Sequence, residues 1–316
     1  MLWYSIKRTV QVIPVLLGIT LISFLLGILC RGDPAEIALN AGGSYSPSGE
    51  EILLVRKQMG LDRPYHEQYL RWLLGVLRGN LGVSFRTKVP VAEEIALRLP
   101  VTLKLSLGSL ALTVFLGIWW GTSMAKRQDS PGDRIGQWVS ILFLSVPGFW
   151  CAIMLISLFS ETLHLLPSGG QGGLKHLMMP VLVLSLGTIG TTMRLTRACM
   201  IRELSLQYVL TARSKGLADR IVLLRHALRN SLIPIVTLLG NYFGSILGGA
   251  VIVESIFAIN GIGKFALDSI AVRDYPALQG YVLLTGTTFV AVSLGIDLLY
   301  YGLNPQIRFE GRAEAT

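Results

Sequence analysis

The sequence predicts an all-α membrane protein with six transmembrane helices and a small external helical segment after the first. Three observations carry that prediction: an apolar bulk composition, six apolar runs long enough to cross a bilayer, and a lopsided distribution of Lys and Arg. Of 316 residues, 52% are hydrophobic and 15% charged, with a mean hydropathy of +0.57. A soluble globular chain has about a quarter of its residues charged, so an ordinary soluble globule is excluded.

The first run, 10–30, follows Lys7 and Arg8. It is longer than the core of a secretory signal, and bulky Ile28 and Leu29 stand where a cleavage site needs small residues, so it reads as an uncleaved first span. The further runs are 105–125, 138–159, 177–193 (with Pro180 near its start), 231–253 and 280–301. Six spans put both termini on one side. The N-terminus, the 126–134 loop, the 194–229 block and the tail together hold fifteen Lys and Arg, whereas the short loops opposite hold Lys175, Lys264 and Arg273. Short cytoplasmic loops are enriched in cations, which places both termini in the cytoplasm. The net charge of +9 is thereby accounted for without a nucleic-acid partner.

This gives a tail and first span over 1–30, an external segment over 31–100, a transmembrane domain over 101–303 and a cytoplasmic tail over 304–316. In the external segment, Tyr65, Tyr69, Trp72, Leu73, Val76 and Leu77 recur at helical spacing, as on one apolar face. A segment of that size is too small for its own core and is expected to pack on the spans. In the 194–230 loop, residues 201–214 contain neither Pro nor Gly and predict a helix. Gly216 fits its C-terminal cap, and Leu217, Ile221, Leu224 and Leu228 form a stripe leading to Ser231 and Pro234. A protruding helix with Tyr208, Ala212, Lys215 and Leu217 near its tip has the shape of an element that enters a groove on a soluble partner.

Several chemistries lack their residues. No GxxxxGK[ST] loop is present, and GIGKF at 261–265 has Phe where a magnesium-binding hydroxyl is needed. Any ATP and Mg must therefore be held by another chain. His164 and His176 share one Gly-rich loop and are the weak candidates for a metal, with Glu161 the nearby carboxylate. Cys30, Cys151 and Cys199 lie far apart, without CxxC spacing. A self-contained carrier or channel would show charged groups at mid-span or matching broken helices. An intramembrane enzyme would show a nucleophile with its base. Asp297, about a turn from the end of the last span, reads as a paired or interfacial carboxylate.

The string YVLTARSKGL with LLRHALRNSLIPIVT resembles the cytoplasmic EAA loop of permease subunits of binding-protein-dependent ABC importers, in the dipeptide, oligopeptide and nickel branch. RGDPA (31–35), MGLDRPYHEQYLRWL with GNLGVSF (59–85), SVPGFW (145–150), GGAVIVESIFAINGIGKFALDSIAVRDYPALQG (248–280) and LNPQIR (303–308) agree in order along nearly the whole chain. Leu210-Thr211-Ala212 lacks the acidic residue of the general motif, and Asn260 stands where the branch usually shows proline.

The resemblance implies a type I importer fold. This subunit would pair with a second, similar permease in the lipid bilayer, above two ATPase subunits, and receive substrate from an extracytoplasmic binding protein. It would bind no cofactor itself. The resemblance assigns ATPase coupling to Tyr208, Thr211, Ala212, Lys215, Gly216 and Leu217, and makes Tyr69, Trp72, Asp274 and Tyr275 candidates for a binding-protein contact or gate. The short 160–175 loop resembles that of nickel or metal-chelate permeases, and di- or oligopeptides stay open as substrate.

Overall fold

A computed structural model describes the backbone of residues 2–29, 32–40 and 47–303, with side chains described from residue 11 to 299 within those ranges. Cys30, Arg31 and the stretch 304–316 lie outside the described residues. The described chain is helical, with an isolated antiparallel bridge between Val83 and Pro90. In order, the helices are α1 (Leu2–Leu29), α2 (Pro34–Asn40), α3 (Gly49–Met59), α4 (Tyr65–Leu77), α5 (Val91–Lys126), α6 (Pro131–Ser145) and α7 (Gly148–Leu155). A π-helical segment, Ile156–Thr162, prolongs α7. Then come α8 (Leu174–Leu204), α9 (Gln207–Ser214), the single turn α10 (Asp219–Ile221), a second π-helical segment over Val222–Ala227, α11 (Leu228–Leu247), α12 (Val251–Ile256), α13 (Ile262–Ala271) and α14 (Tyr275–Leu303).

Five of these helical stretches are long and apolar enough to cross a membrane, and the bent pair α6–α7 makes a sixth. The run 138–159 reads as one span, and within it the chain turns by 95° between α6 and α7. Pro147 explains the break. It lacks the N–H that would continue the helix and forces the preceding residue out of the α region, and Val146 is extended at ψ 120°. Likewise the 231–253 run ends early, at Leu247, because Gly249 adopts φ +113°, a left-handed value open chiefly to glycine. The 177–193 run extends to Leu174–Leu204, with Pro180 accommodated inside α8.

The chain forms two compact units. The first contains residues 1–102, 247–251 and 260–290. Its core joins Val91, Ile95, Ile262, Phe265 and Ala277. Neither α3 nor α4 buries a residue completely, and α4 instead lays Tyr69 and Trp72 against Phe24 of α1, with ring centroids 5.4 and 5.9 Å away. Ser48 and Glu51 form a reciprocal capping box that starts α3. α5 begins at Val91, inside the stretch read from hydropathy as the external segment, and Glu93 and Glu94 occupy its first turn, where carboxylates favour the positive helix end.

The second unit contains residues 103–246, 252–259 and 291–316. It is built on α6, α8 and the part of α5 within it, and α5 approaches α8 so closely at two glycines that no side chain fits there. A Cβ on Gly117 would meet Thr192 Cβ at 2.7 Å, and one on Gly121 would meet Thr196 Cβ at 2.6 Å and the Met193 carbonyl at 2.7 Å. Two small residues four apart on α5 therefore face two small residues four apart on α8, the arrangement by which membrane helices gain packing without a hydrophobic drive. Met124, Ile189 and Met193 fill the adjoining space, backed by Leu116, Trp120 and Phe143.

Candidate functional site

At one end of α8, Ser205 and Leu206 interrupt the helix. The Ser205 hydroxyl donates to the Arg202 carbonyl at 2.8 Å, and Leu206 is extended at ψ 150°. Where the sequence predicts one helix over 201–214, the structure has a separate two-turn element, α9, set off from α8. The chain returns through Gly216 at φ +78°. Leu217 N–H bonds the Ala212 carbonyl at 3.3 Å and Gly216 N–H bonds the Arg213 carbonyl at 2.9 Å. A Cβ on Gly216 would meet nothing within 4 Å, so backbone conformation, not space, is what calls for glycine here.

The hairpin rests on a small core of Val209, Ala212 and Val222, closed by Leu204. Burial of each valine contributes about 1.5–3 kcal/mol. Beneath it, Ala125, Met200 and Ala227 join the ends of α5 and α8 to the returning chain. The residues named from sequence therefore take different positions. Ala212 is buried on the inner face. Thr211, Lys215 and Leu217 are exposed. Tyr208 is tethered: its hydroxyl donates to Glu203 Oε2 at 2.6 Å and accepts from Asn230 Nδ2 at 3.1 Å. Partial burial, and then the Glu203 carboxylate, push the phenol above its ordinary range.

Leu206, Leu210, Leu217, Ile221 and Leu224 are exposed around this hairpin, with Arg213 also exposed and 3.4 Å from Asp219. The rim is thus apolar with interspersed cations.

The sequence reading missed an ion pair. Arg197 of α8 donates through Nε and Nη2 to the two oxygens of Asp133, at 2.6 and 2.7 Å. Asp133 is 1% exposed and also receives the Asp129 N–H at 2.9 Å. This bidentate bridge ties the start of α6 to α8 about 10 Å of helix before the hairpin. Ser130-Pro131-Gly132-Asp133 carried a local signal as a helix start, with Ser130 the N-cap; the partner, 64 residues away, left none.

In the first unit, Tyr69 and Trp72 face α1, and the Tyr69 hydroxyl lies 2.9 Å from Thr20 Oγ1. Asp274 is 2% exposed. It accepts from the Ser84 hydroxyl, from Phe85 N–H at 3.1 Å and from Ala277 N–H at 3.4 Å. It thus caps α14 and holds the 84–86 turn. Tyr275 is buried, edge-on to Phe85 at 6.2 Å. In the second unit, His164 Nδ1 is bonded to the Ser160 carbonyl, 2.9 Å away, and the His176 ring packs against Gly172. Among the described residues no group of three His, Cys, Asp or Glu side chains is placed to hold a metal ion.

Residues 114–309 match the family described as binding-protein-dependent transport system inner membrane component, and residues 1–106 match its N-terminal membrane component. The chain belongs to this family. It is thus a permease component, a transport subunit of a binding-protein-dependent ABC importer. A relative named glutathione transport system permease protein GsiC, from Salmonella paratyphi A, is 37% identical over 98% of this chain and 100% of its own length. The protein of that name from Pectobacterium atrosepticum is 38% identical over the same shares. A Brucella abortus relative named for a peptide transport system permease is 39% identical over 96% of this chain and 98% of its own. An inward-facing structure of the MetNI methionine ABC transporter superposes with a TM-score of 0.55 at 12% identity, over 66% of this permease and 96% of that chain. The last comparison fixes the fold as that of a type I importer.

Proposed function

We propose that this permease forms half of a pathway for small peptides, in the size class of glutathione, and that the hairpin of α9 and α10 couples it to ATPase subunits. The observation that carries the coupling is the exposed apolar rim on an element anchored from beneath. Such an element accepts force from a partner while Val209, Ala212 and Val222 keep it fixed to α8. A ligand biases a two-state machine only through differential affinity for its states. ATP, with Mg, would act by closing the partner ATPases and carrying the hairpin with them. The hairpin side faces the cytoplasm, a reading supported by the cation distribution. A second, similar permease completes the pathway, and an extracytoplasmic binding protein delivers the substrate.

The peptide assignment is supported by the names of the full-length relatives. The test is to co-purify the tagged permease with its partners and measure ATP hydrolysis with binding protein loaded with glutathione, a longer peptide or chelated Ni²⁺. Stimulation by glutathione or peptide is expected. Stimulation by the nickel-loaded protein alone would overturn the peptide assignment in favour of metal, and a chain that moves solute by itself would overturn the importer reading in favour of a self-contained carrier.

A further inference from the structure

A cavity of about 740 Å³ opens within the first unit, between the last turns of α1, the helices α2 to α4 and the start of α14. Its size falls within the roughly 300–1,000 Å³ of sites that hold small organic ligands. The walls are aromatic and apolar, with Phe24, Ile28, Trp72, Phe85 and Tyr275 prominent. Three cations, Arg56, Arg71 and Lys88, line it against one carboxylate, Asp33. That carboxylate is already engaged, accepting from the Ala35 N–H at 3.0 Å and meeting Arg56 at 3.4 Å. Lys88 donates to the carbonyl of Ala38 at 2.8 Å, a neutral partner that leaves its charge uncompensated. Arg71 has no carboxylate partner among the described residues.

An excess of positive charge on aromatic walls is satisfied by an anion that carries an apolar body. The charged group takes charge-assisted hydrogen bonds from Arg71 and Arg56, and the apolar body lies along Trp72 and Phe24. The cavity sits at the end of α1, whose apolar stretch runs from Gln11 to Leu29. That position corresponds to the membrane–water boundary, where aromatic rings and cations meet lipid headgroups.

We propose that this cavity binds a small amphipathic anion through Arg71 and Arg56. The occupant that meets both requirements is an anionic phospholipid, its headgroup on the arginines and the start of its acyl chains along the aromatic wall. This lipid site does not rest on the proposed function, so its failure leaves the ATPase experiment above as the separate test of transport.

The experiment is native mass spectrometry on the intact permease complex in neutral detergent. It is titrated with phosphatidylglycerol, with phosphatidylcholine as the uncharged control, and separately with glutathione. Preferential retention of phosphatidylglycerol is expected, weakened roughly tenfold or more by Arg71→Glu and largely kept in Arg71→Lys. Arg71 is exposed, so both variants should match the parent in yield and thermal midpoint. Retention of glutathione in place of phosphatidylglycerol, retention of neither, or retention indifferent to Arg71→Glu would overturn the proposal.

Discussion

The bundle of α5, α6 and α8 and the hairpin at its end are packed by opposite means. Within the bundle, glycines bring backbones to near contact, as Gly121 does against Thr196 and Met193, and a bidentate ion pair locks Asp133 to Arg197. The hairpin has three buried side chains beneath it and a rim of exposed leucines above. The contrast separates two uses of a side chain: leaving it out lets backbones meet, and leaving it uncovered presents an apolar surface.

The largest effect should come from filling the bundle. Gly121→Leu has no space to occupy, and overpacking costs about 1–3 kcal/mol or more, so monodisperse protein should not be recovered after detergent extraction. Gly18→Leu, where nothing lies within 4 Å, should be recovered normally. If the two behave alike, the close packing is not what stiffens this region. Asp133→Asn comes next. It leaves the partly buried Arg197 guanidinium, 20% exposed, without its carboxylate, at a cost of about 1–3 kcal/mol, and thermal unfolding should report a drop that the double variant with Arg197→Met partly restores.

These positions also show what the sequence could and could not say. The six apolar runs and the cation asymmetry were legible because they follow from composition along the chain. So was the turn at Gly216, since a glycine ending a helical stretch has a local cause. Direction was not: hydropathy over 138–159 counts apolar residues and is blind to the 95° turn that Pro147 makes within them. The break at Ser205 carried no Pro or Gly to mark it. Contacts between distant residues, such as Asp133 with Arg197 or Asp274 with Ser84, exist only after folding. Asp274 stood in the sequence as a candidate for a binding-protein contact or gate, and its caps on α14 and on the 84–86 turn are contacts the sequence did not announce.

Smaller effects are expected at the hairpin. Gly216→Val places a β-branched residue at positive φ and should cost about 1–3 kcal/mol locally. The hairpin should then become protease-sensitive while the thermal midpoint of the bundle is unchanged. Gly216→Asn, which tolerates this conformation better, should fall between. Tyr208→Phe should have the smallest effect, loosening the tie to Glu203 and Asn230. Because the phenol is held above its ordinary value, its contribution is present below about pH 10 and lost only as pH rises through the folded value. Coupling should accordingly show no Tyr208-dependent change between about pH 6 and 9, and a step in that window removed by Tyr208→Phe would count against the tether.

The most direct test of the account is ATP hydrolysis by the reconstituted complex carrying Leu210→Asp. Leu210 is 56% exposed and contributes nothing to the hairpin core, so the variant should fold and keep its thermal midpoint. It should lose binding-protein-stimulated hydrolysis and transport together. A variant that assembles, hydrolyses and transports like the parent would contradict the claim that the exposed rim of this hairpin is where the ATPase subunits take hold.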